Sequence, residues 1–441
     1  MCLCARARHR ADPTGRNDST LALQGALDAA FAAHQGDHAG DTPGRGAGRP
    51  RGVLRVDLGG GLYSVSRSLH LAGWAPGRIV FAGGTLVASP TFPQEEFLIN
   101  LTDISGVSFE DLTFDSAHRG GGLRLDCTKQ ISVSSVYFLH FATVALLGDA
   151  HPLPGGAKGP WCMGHELIVD GCWFVEEDYP VPGQNGTGTA IEMRFGDSHI
   201  RNSVIQHCKV GISDSSGGNI YEALHIWTGP NSPAEQSLCF VAPSQYHSST
   251  HGPSGSPMRL VGCYFDKCDV LLEDPHALIL TASSFYGNAS VIIKPTTENA
   301  TIEGLRIIDN TFRCVSAGGG AGCGTVRLDT TQGSVGAIIA GTSVAGNVFE
   351  DVAQERSTEA SATVTAVASA AGGGSQFEAD FSGSMVFPGL TWKDVQYSIE
   401  LSGSDPSQLI PRHARVQAEV GWVRVVTDTA VSGRASISVK Q

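Results

Sequence analysis

LTFDSAHRGGGLRLDCTKQISVSSVYF, residues 112–138, is the stretch that decides the fold. It runs from one aromatic position, Phe114, through a Gly-rich turn and two short apolar segments to Phe138, which stands in the same local context. Outward from it, the same position after a turn recurs at Phe174, Phe265, Phe285, Phe312 and Phe349, with Ile205, Ile226 and Phe109 as further rungs. The 24 residues from Phe114 to Phe138 and the 20 from Phe265 to Phe285 match one coil of a repeating solenoid, and longer intervals read as coils carrying loops. Coils stacked about 4.8 Å apart place each such side chain above its neighbour, so the Phe column is an internal stack. Cys172, Cys263, Asn310 and Asn347 each precede their column residue by two and read as a second structural ladder. The expected class is all-β, a right-handed parallel β-helix.

Residues 19–34, STLALQGALDAAFAAH, carry apolar residues at helical spacing behind a Ser/Thr cap. That spacing predicts one amphipathic helix closing an end of the core. From about Ser357 the chain alternates, as in ATVTAVASA, QFEADFSGSMVF, ARVQAEVGWVRVVTD and RASISVKQ, which predicts antiparallel strands. The expected organisation is an N-terminal segment with a capping helix over 1–52, the β-helix over 53–356, and a C-terminal antiparallel, β-sandwich-like domain over 357–441. The last is expected to cover an otherwise unpaired solenoid edge.

Composition agrees: Gly is 55 of 441 residues and charged residues are 17%, which describes a turn-rich and strand-rich chain. Thirty Lys plus Arg against 43 Asp plus Glu give a net charge of -13, so no basic field attracts nucleic acid or anionic lipid. No apolar run approaches the roughly 20 residues of a membrane span. Neither nucleic acid nor membrane is an expected partner. Met1 to Arg10 has no apolar signal region, yet Asn17, Asn100, Asn185, Asn288 and Asn299 open Asn-x-Ser/Thr sequons, a density that suits secreted surface loops. The expectation is a secreted or cell-wall glycoprotein whose leader is missing from this sequence. The 11 Cys read as buried thiols or, for Cys314 and Cys323 around a Gly-rich excursion, as a local disulfide. No Cys/His spacing for zinc occurs, and no metal or cofactor is expected.

Strand alternation turns the residue after each column Phe outward, stacking a further column of Asp115, Leu139, Val175, Gln206, Trp227, Asp266, Tyr286, Arg313 and Glu350. Asp266, Tyr286 and Arg313 combine a carboxylate, an aromatic platform and a cation, as a sugar-binding surface does. Aligning GGLRLD, GTAIEM, VGISDS, DVLLEDP, SVIIKP and GTVRLD predicts another column with Glu192, Asp214, Glu273 and Lys294 on one face and Asp274 at the turn. Glycoside hydrolysis uses two carboxyl groups, one protonated and one ionised. Asp266 and Glu273, seven residues apart in one coil, are the leading catalytic pair, with Asp274 and Glu192 behind them. Arg119, Lys294 and Arg313 suit substrate carboxylates, and Asp115, His225 and Tyr286 suit further substrate contacts. Each has a plainer alternative: carboxylates at solenoid turns are commonly solvated or capping, Asp115 suits an Asx turn, and His140 or His225 suits a structural role.

The ordered segments DPTGRNDST (12–20), LTFDSAHRGGGLRL (112–125), YFLHFAT (137–143), GTAIEM (188–193), GCYFDKCDVLLEDP (262–275), SSFYGNASVIIK (283–294) and FEADFSGSMVFP with VQYS (377–398) resemble the QUARTET-type polygalacturonases of plants. The resemblance covers nearly the whole chain. It implies a pectin-lyase-like β-helix with a C-terminal β domain, secretion to the cell wall, and hydrolysis inside galacturonan chains. The NTD, GDD-like, GHG and RIK motifs of typical polygalacturonases are absent here, so those catalytic residues do not carry over. Three functions stand side by side: a hydrolase of acidic polysaccharide, a lyase using a Lys or Arg base with Ca²⁺, and a non-catalytic glycan-binding scaffold. The net negative charge calls for a local basic groove if the glycan is anionic.

Overall fold

The computed structural model describes residues 2–4, 11–36, 53–73, 78–150, 164–176, 187–227, 238–244, 257–313, 324–339, 342–350, 361–367, 374–381, 394–401, 414–419, 422–431 and 433–440. The chain forms two compact units, Met1–Leu271 and Leu272–Gln441. Its architecture is the expected right-handed parallel β-helix with antiparallel strands after it in sequence.

In the first unit, the early coils are long strands, Val53–Val65, Arg78–Ala88 and Val107–Asp115. Later coils break the same path into two pieces: Lys129–Ser134 and Tyr137–Leu139, His165–Asp170 and Trp173–Val175, His199–Arg201 and Val204–Gln206, Ile220–Glu222 and His225–Trp227, Met258–Val261 and Tyr264–Asp266. The break is a two-residue corner whose first residue, Ser135, Gly171, Asn202, Ala223 or Gly262, has φ between 51° and 64°. Gly171 and Gly262 take that left-handed conformation freely, whereas Ala223 takes it at roughly 1–2 kcal/mol. The second corner residue, Val136, Cys172, Ser203, Leu224 or Cys263, is buried. This is the ladder predicted from Cys172 and Cys263. The third side of the coil, Phe97–Thr102, Gly121–Asp126, Val144–Asp149, Thr189–Met193, Val210–Asp214 and Leu238–Ala242, pairs in parallel in that order.

Phe114, Phe138, Phe174, Ile205, Ile226 and Phe265 are opposite one another from coil to coil, and none is more than 1% exposed. Phe138 and Phe174 lie 4.7 Å apart with planes 1° from parallel. Burying each such ring stabilises the fold by roughly 1.5–3 kcal/mol. Phe109 is a correction: it pairs with Phe81 and Val133 in a neighbouring inward column. A left-handed Asp111, φ 52°, makes a corner inside the continuous strand, so residues five apart both turn inward. The predicted helix spans Thr20–Gly36. Asp18 Oδ1 accepts the Thr20 N–H at 3.0 Å, and Leu23, Ala26 and Leu27 line one cavity with Val56, Leu58, Phe81, Leu86 and Leu112.

The second unit contains coils of the same kind, with Phe285, Phe312 and Phe349 in register at 4.4 and 4.9 Å. At its corners Asn310 donates to Leu280 O and Asn347 Oδ1, both at 3.0 Å, and accepts the Ser283 N–H at 3.0 Å. Two three-stranded antiparallel sheets, one of Ser361–Val367, Gly433–Lys440 and Asp394–Leu401, the other of Gly374–Asp380, Trp422–Val431 and Ala414–Glu419, share a core that includes Phe377, Phe381, Val423, Val425, Ile437 and Val439. The predicted Cys314–Cys323 bridge lies outside the described residues. Cys239 and Cys268 form a disulfide with Cα atoms 5.1 Å apart, Cys127 is also disulfide-bonded, and Cys172 and Cys208 are buried thiols.

Candidate functional site

A three-residue strand that turns its middle residue inward turns both flanking residues outward. The first unit therefore presents two outward columns on one face. Their register is Tyr137, Trp173, Val204, His225, Tyr264 in one, and Leu139, Val175, Gln206, Trp227, Asp266 in the other.

In the last coil of the first unit Asp266 is partly exposed, but its Oδ1 is shielded from solvent and accepts no hydrogen bond. Two neighbours share that condition: Nε2 of His225 and Nε1 of Trp227 are buried without a partner. Trp227 lies directly opposite Asp266, and His225 opposite Tyr264, with the His225 and Tyr264 rings edge to face at 4.8 Å. Burial pushes the Asp266 carboxyl above the ordinary aspartate range, and the charges of Lys267 and His225 offset only part of that rise. An unsatisfied buried polar atom costs about 1–3 kcal/mol. Three such atoms stand on two adjacent strands here, with Trp227 directly opposite Asp266.

Asp115 stands in register with Leu139, five coil steps and about 24 Å from Asp266. It accepts the Ala117 N–H at 2.9 Å, completing the predicted Asx turn, and lies 2.9 Å from His140 Nδ1. The His140 ring in turn packs against that of His118, with centroids 5.0 Å apart and planes tilted by 39°. Burial opposes ionisation of Asp115, but the hydrogen bonds from His140 and Ala117 and the nearby His charges outweigh it and hold the carboxyl below its usual range. Arg119 is anchored, its Nε donating to Phe92 O at 2.8 Å.

The remaining predicted carboxylates have structural partners. Glu192 accepts from Arg194 Nε at 2.8 Å, and Arg194 also reaches Asp149 at 3.2 Å. Asp214 is not on the face of Glu192: it pairs with Met193, while Glu192 pairs with Ser213. The loops between coils shift the alignment by one residue, and a shift of one reverses the face. Asp214 is fully buried and accepts from Tyr221 Oη and Asn219 Nδ2, both at 2.8 Å. Glu176, also buried, ties back the chain by accepting the Gly188 N–H at 2.9 Å.

In the second unit, Lys294 Nζ lies 3.3 Å from Glu273. Asp274, left-handed at φ 44°, accepts the Thr296 N–H at 2.9 Å and bonds the Thr296 hydroxyl. Tyr286 and Arg313 stand opposite each other, and Arg313 lies 3.7 Å from Glu350. Among the described residues no group of three or more His, Cys, Asp or Glu is arranged to hold a metal ion.

Asp266 and His225 are thus the two predicted residues that the first unit brings together. The sequence candidates omit Trp227 and Tyr264. A signal for both was present, because each flanks an inward residue of a three-residue strand.

No protein-family model matches the chain. It is 28% identical over 447 residues, 98% of this chain and 82% of the relative, to polygalacturonase QRT3 of Arabidopsis thaliana. Among solved structures it is similar to the A-module of mannuronan C-5 epimerase AlgE6 of Azotobacter vinelandii, at 12% identity over 78% of this chain and 93% of that one, with TM-score 0.45. It is also similar to the tailspike protein gp49 of Pseudomonas phage LKA1, at 12% identity over 88% of this chain and 67% of that one, with TM-score 0.44.

Proposed function

We propose that this chain, similar over 98% of its length to a QUARTET-type plant polygalacturonase, is a secreted glycoside hydrolase acting on an acidic cell-wall polysaccharide. The observation that carries the reading is the Asp266 carboxyl, partly exposed, unpaired at Oδ1 and raised in pKa beside His225 and Trp227. A carboxyl of raised pKa keeps its proton to higher pH than an ordinary aspartate and can pass it to the leaving glycosidic oxygen as the C–O bond breaks, with water adding to the anomeric carbon and releasing its proton to solvent, from which the carboxylate is reprotonated. Lys267 beside it offers a local positive charge for a uronate on a chain of net charge -13. Glu192, Asp274 and Glu273 are engaged by Arg194, Thr296 and Lys294, and the reading assigns them to structure.

The test is release of reducing ends from polygalacturonate and from neutral glycans, with absorbance followed for unsaturated products. Asp266→Asn is expected to lose about 10²–10⁴ in rate, and Glu273→Gln to retain most of it. Unsaturated products would make the chain a lyase and overturn the reading. No release from any glycan by folded protein would leave a binding scaffold.

A further inference from the structure

Two large aromatic side chains stand in the open on the face that carries Asp266. Tyr137 and Trp173 are 46% and 39% exposed. They lie directly opposite each other in adjacent coils, with centroids 6.2 Å apart and planes within 16°. The core has no need of them, because Phe138 and Phe174 fill the inward positions of the same two strands.

Two rings are far too small a surface for a protein partner, which takes roughly 800 Å² from each side. They suit a flat, partly apolar object of their own size. The C–H face of a pyranose is such an object, and its hydroxyls stay in water while it packs on an aromatic ring.

Continuity with the Asp266 site decides between a stray patch and a subsite. Tyr137, Trp173, Val204, His225 and Tyr264 are consecutive in one register. Trp173 is therefore two coil steps, about 10 Å, from His225, and Tyr137 four steps, about 19 Å, from Tyr264. Val204 in between is a compact, partly exposed side chain. The coil spacing is comparable with the advance per residue of an extended polysaccharide, so successive rings meet successive coils.

We propose that Tyr137 and Trp173 form a distal sugar-binding platform that holds two consecutive pyranose rings of a polysaccharide lying along the helix axis, several residues away from the bond at Asp266. The inference rests on the reading of the chain as acting on a polysaccharide. Remote contacts of this kind favour long chains over short ones.

The experiment uses the full chain carrying Asp266→Asn, so that binding is read without turnover, and titrates a decameric oligogalacturonate by calorimetry. Adding Tyr137→Ala and Trp173→Ala is expected to weaken decamer binding on the order of tenfold. The thermal midpoint is expected to move little, because Phe138 and Phe174 fill the core positions of these strands. Trp173→Phe alone, which keeps a ring, is expected to bind nearly as the parent does. Decamer affinity unchanged in the double alanine variant, or lost equally in Trp173→Phe, overturns the platform. If the Asp266→Asn chain binds no decamer, platform and polysaccharide reading fall together. If it binds, with the platform contributing, while the native chain releases no reducing ends, only the hydrolase reading falls.

Discussion

Asp266 and Asp115 occupy the same outward column and differ in what surrounds them. Asp115 is followed by a turn that returns the Ala117 N–H to it, and the next coil supplies His140. Asp266 receives no hydrogen bond at its shielded oxygen. The consequences for stability are opposite in sign. The Asp115 carboxyl is lowered, so it stabilises the fold at neutral pH, and that contribution is lost as pH falls through its folded value. The Asp266 carboxyl is raised, so below the ordinary aspartate value of about 3.9 both folded and unfolded chains hold the proton, and the fold is disfavoured as pH rises above it. Asp266→Asn is therefore expected to melt at a higher temperature than the native chain at pH 7, with the difference closing near pH 3. Equal midpoints at pH 7 would show that the carboxyl is not strained.

At the scale of the element, the two-residue corner explains both what was legible and what was misread. It carries the ladder of Cys172, Cys263, Asn310 and Asn347, visible in sequence because the corner has a constant length and always precedes an inward aromatic or aliphatic residue. Phe109 was expected in the Phe114 column because nothing in VSFEDLTF marks the corner at Asp111. In several later coils Gly or Asn provides that mark, as at Gly171, Asn202 and Gly262. The Asn rungs also carry load: Asn310, fully buried, satisfies Ser283 N–H, Leu280 O and Asn347 Oδ1. Asn310→Ala leaves these groups without their partner and is expected to cost about 2–4 kcal/mol, measured by denaturant unfolding. A loss below about 0.5 kcal/mol, the usual bound for an inconsequential surface change, would mean that the ladder is incidental.

For the molecule as a whole, coils are joined by more than stacking. The Cys239–Cys268 bridge closes a loop of sequence separation 29, and its second cysteine lies two residues beyond Asp266. Loop-closure entropy puts its contribution at about 3–4 kcal/mol. Unfolding under a thiol reductant, or of the chain with both cysteines replaced by serine, is expected to show that loss. Unchanged stability in the double serine variant would refute a structural role for the bridge. Several features were determined by the sequence alone: the coil period, the inward Phe column, the capping helix, the antiparallel strands after the solenoid and the resemblance to QUARTET-type polygalacturonases. All are local patterns repeated along the chain, and repetition can be read in one dimension. Which of the candidate carboxylates keeps a shielded oxygen without a hydrogen bond was decided only by the tertiary structure. Arg194 holds Glu192 within one strand end, but His140 reaches Asp115, Lys294 reaches Glu273 and Thr296 reaches Asp274 from neighbouring coils. Loops of unequal length separate those coils, so the register that assigns partners exists only once the coils have stacked.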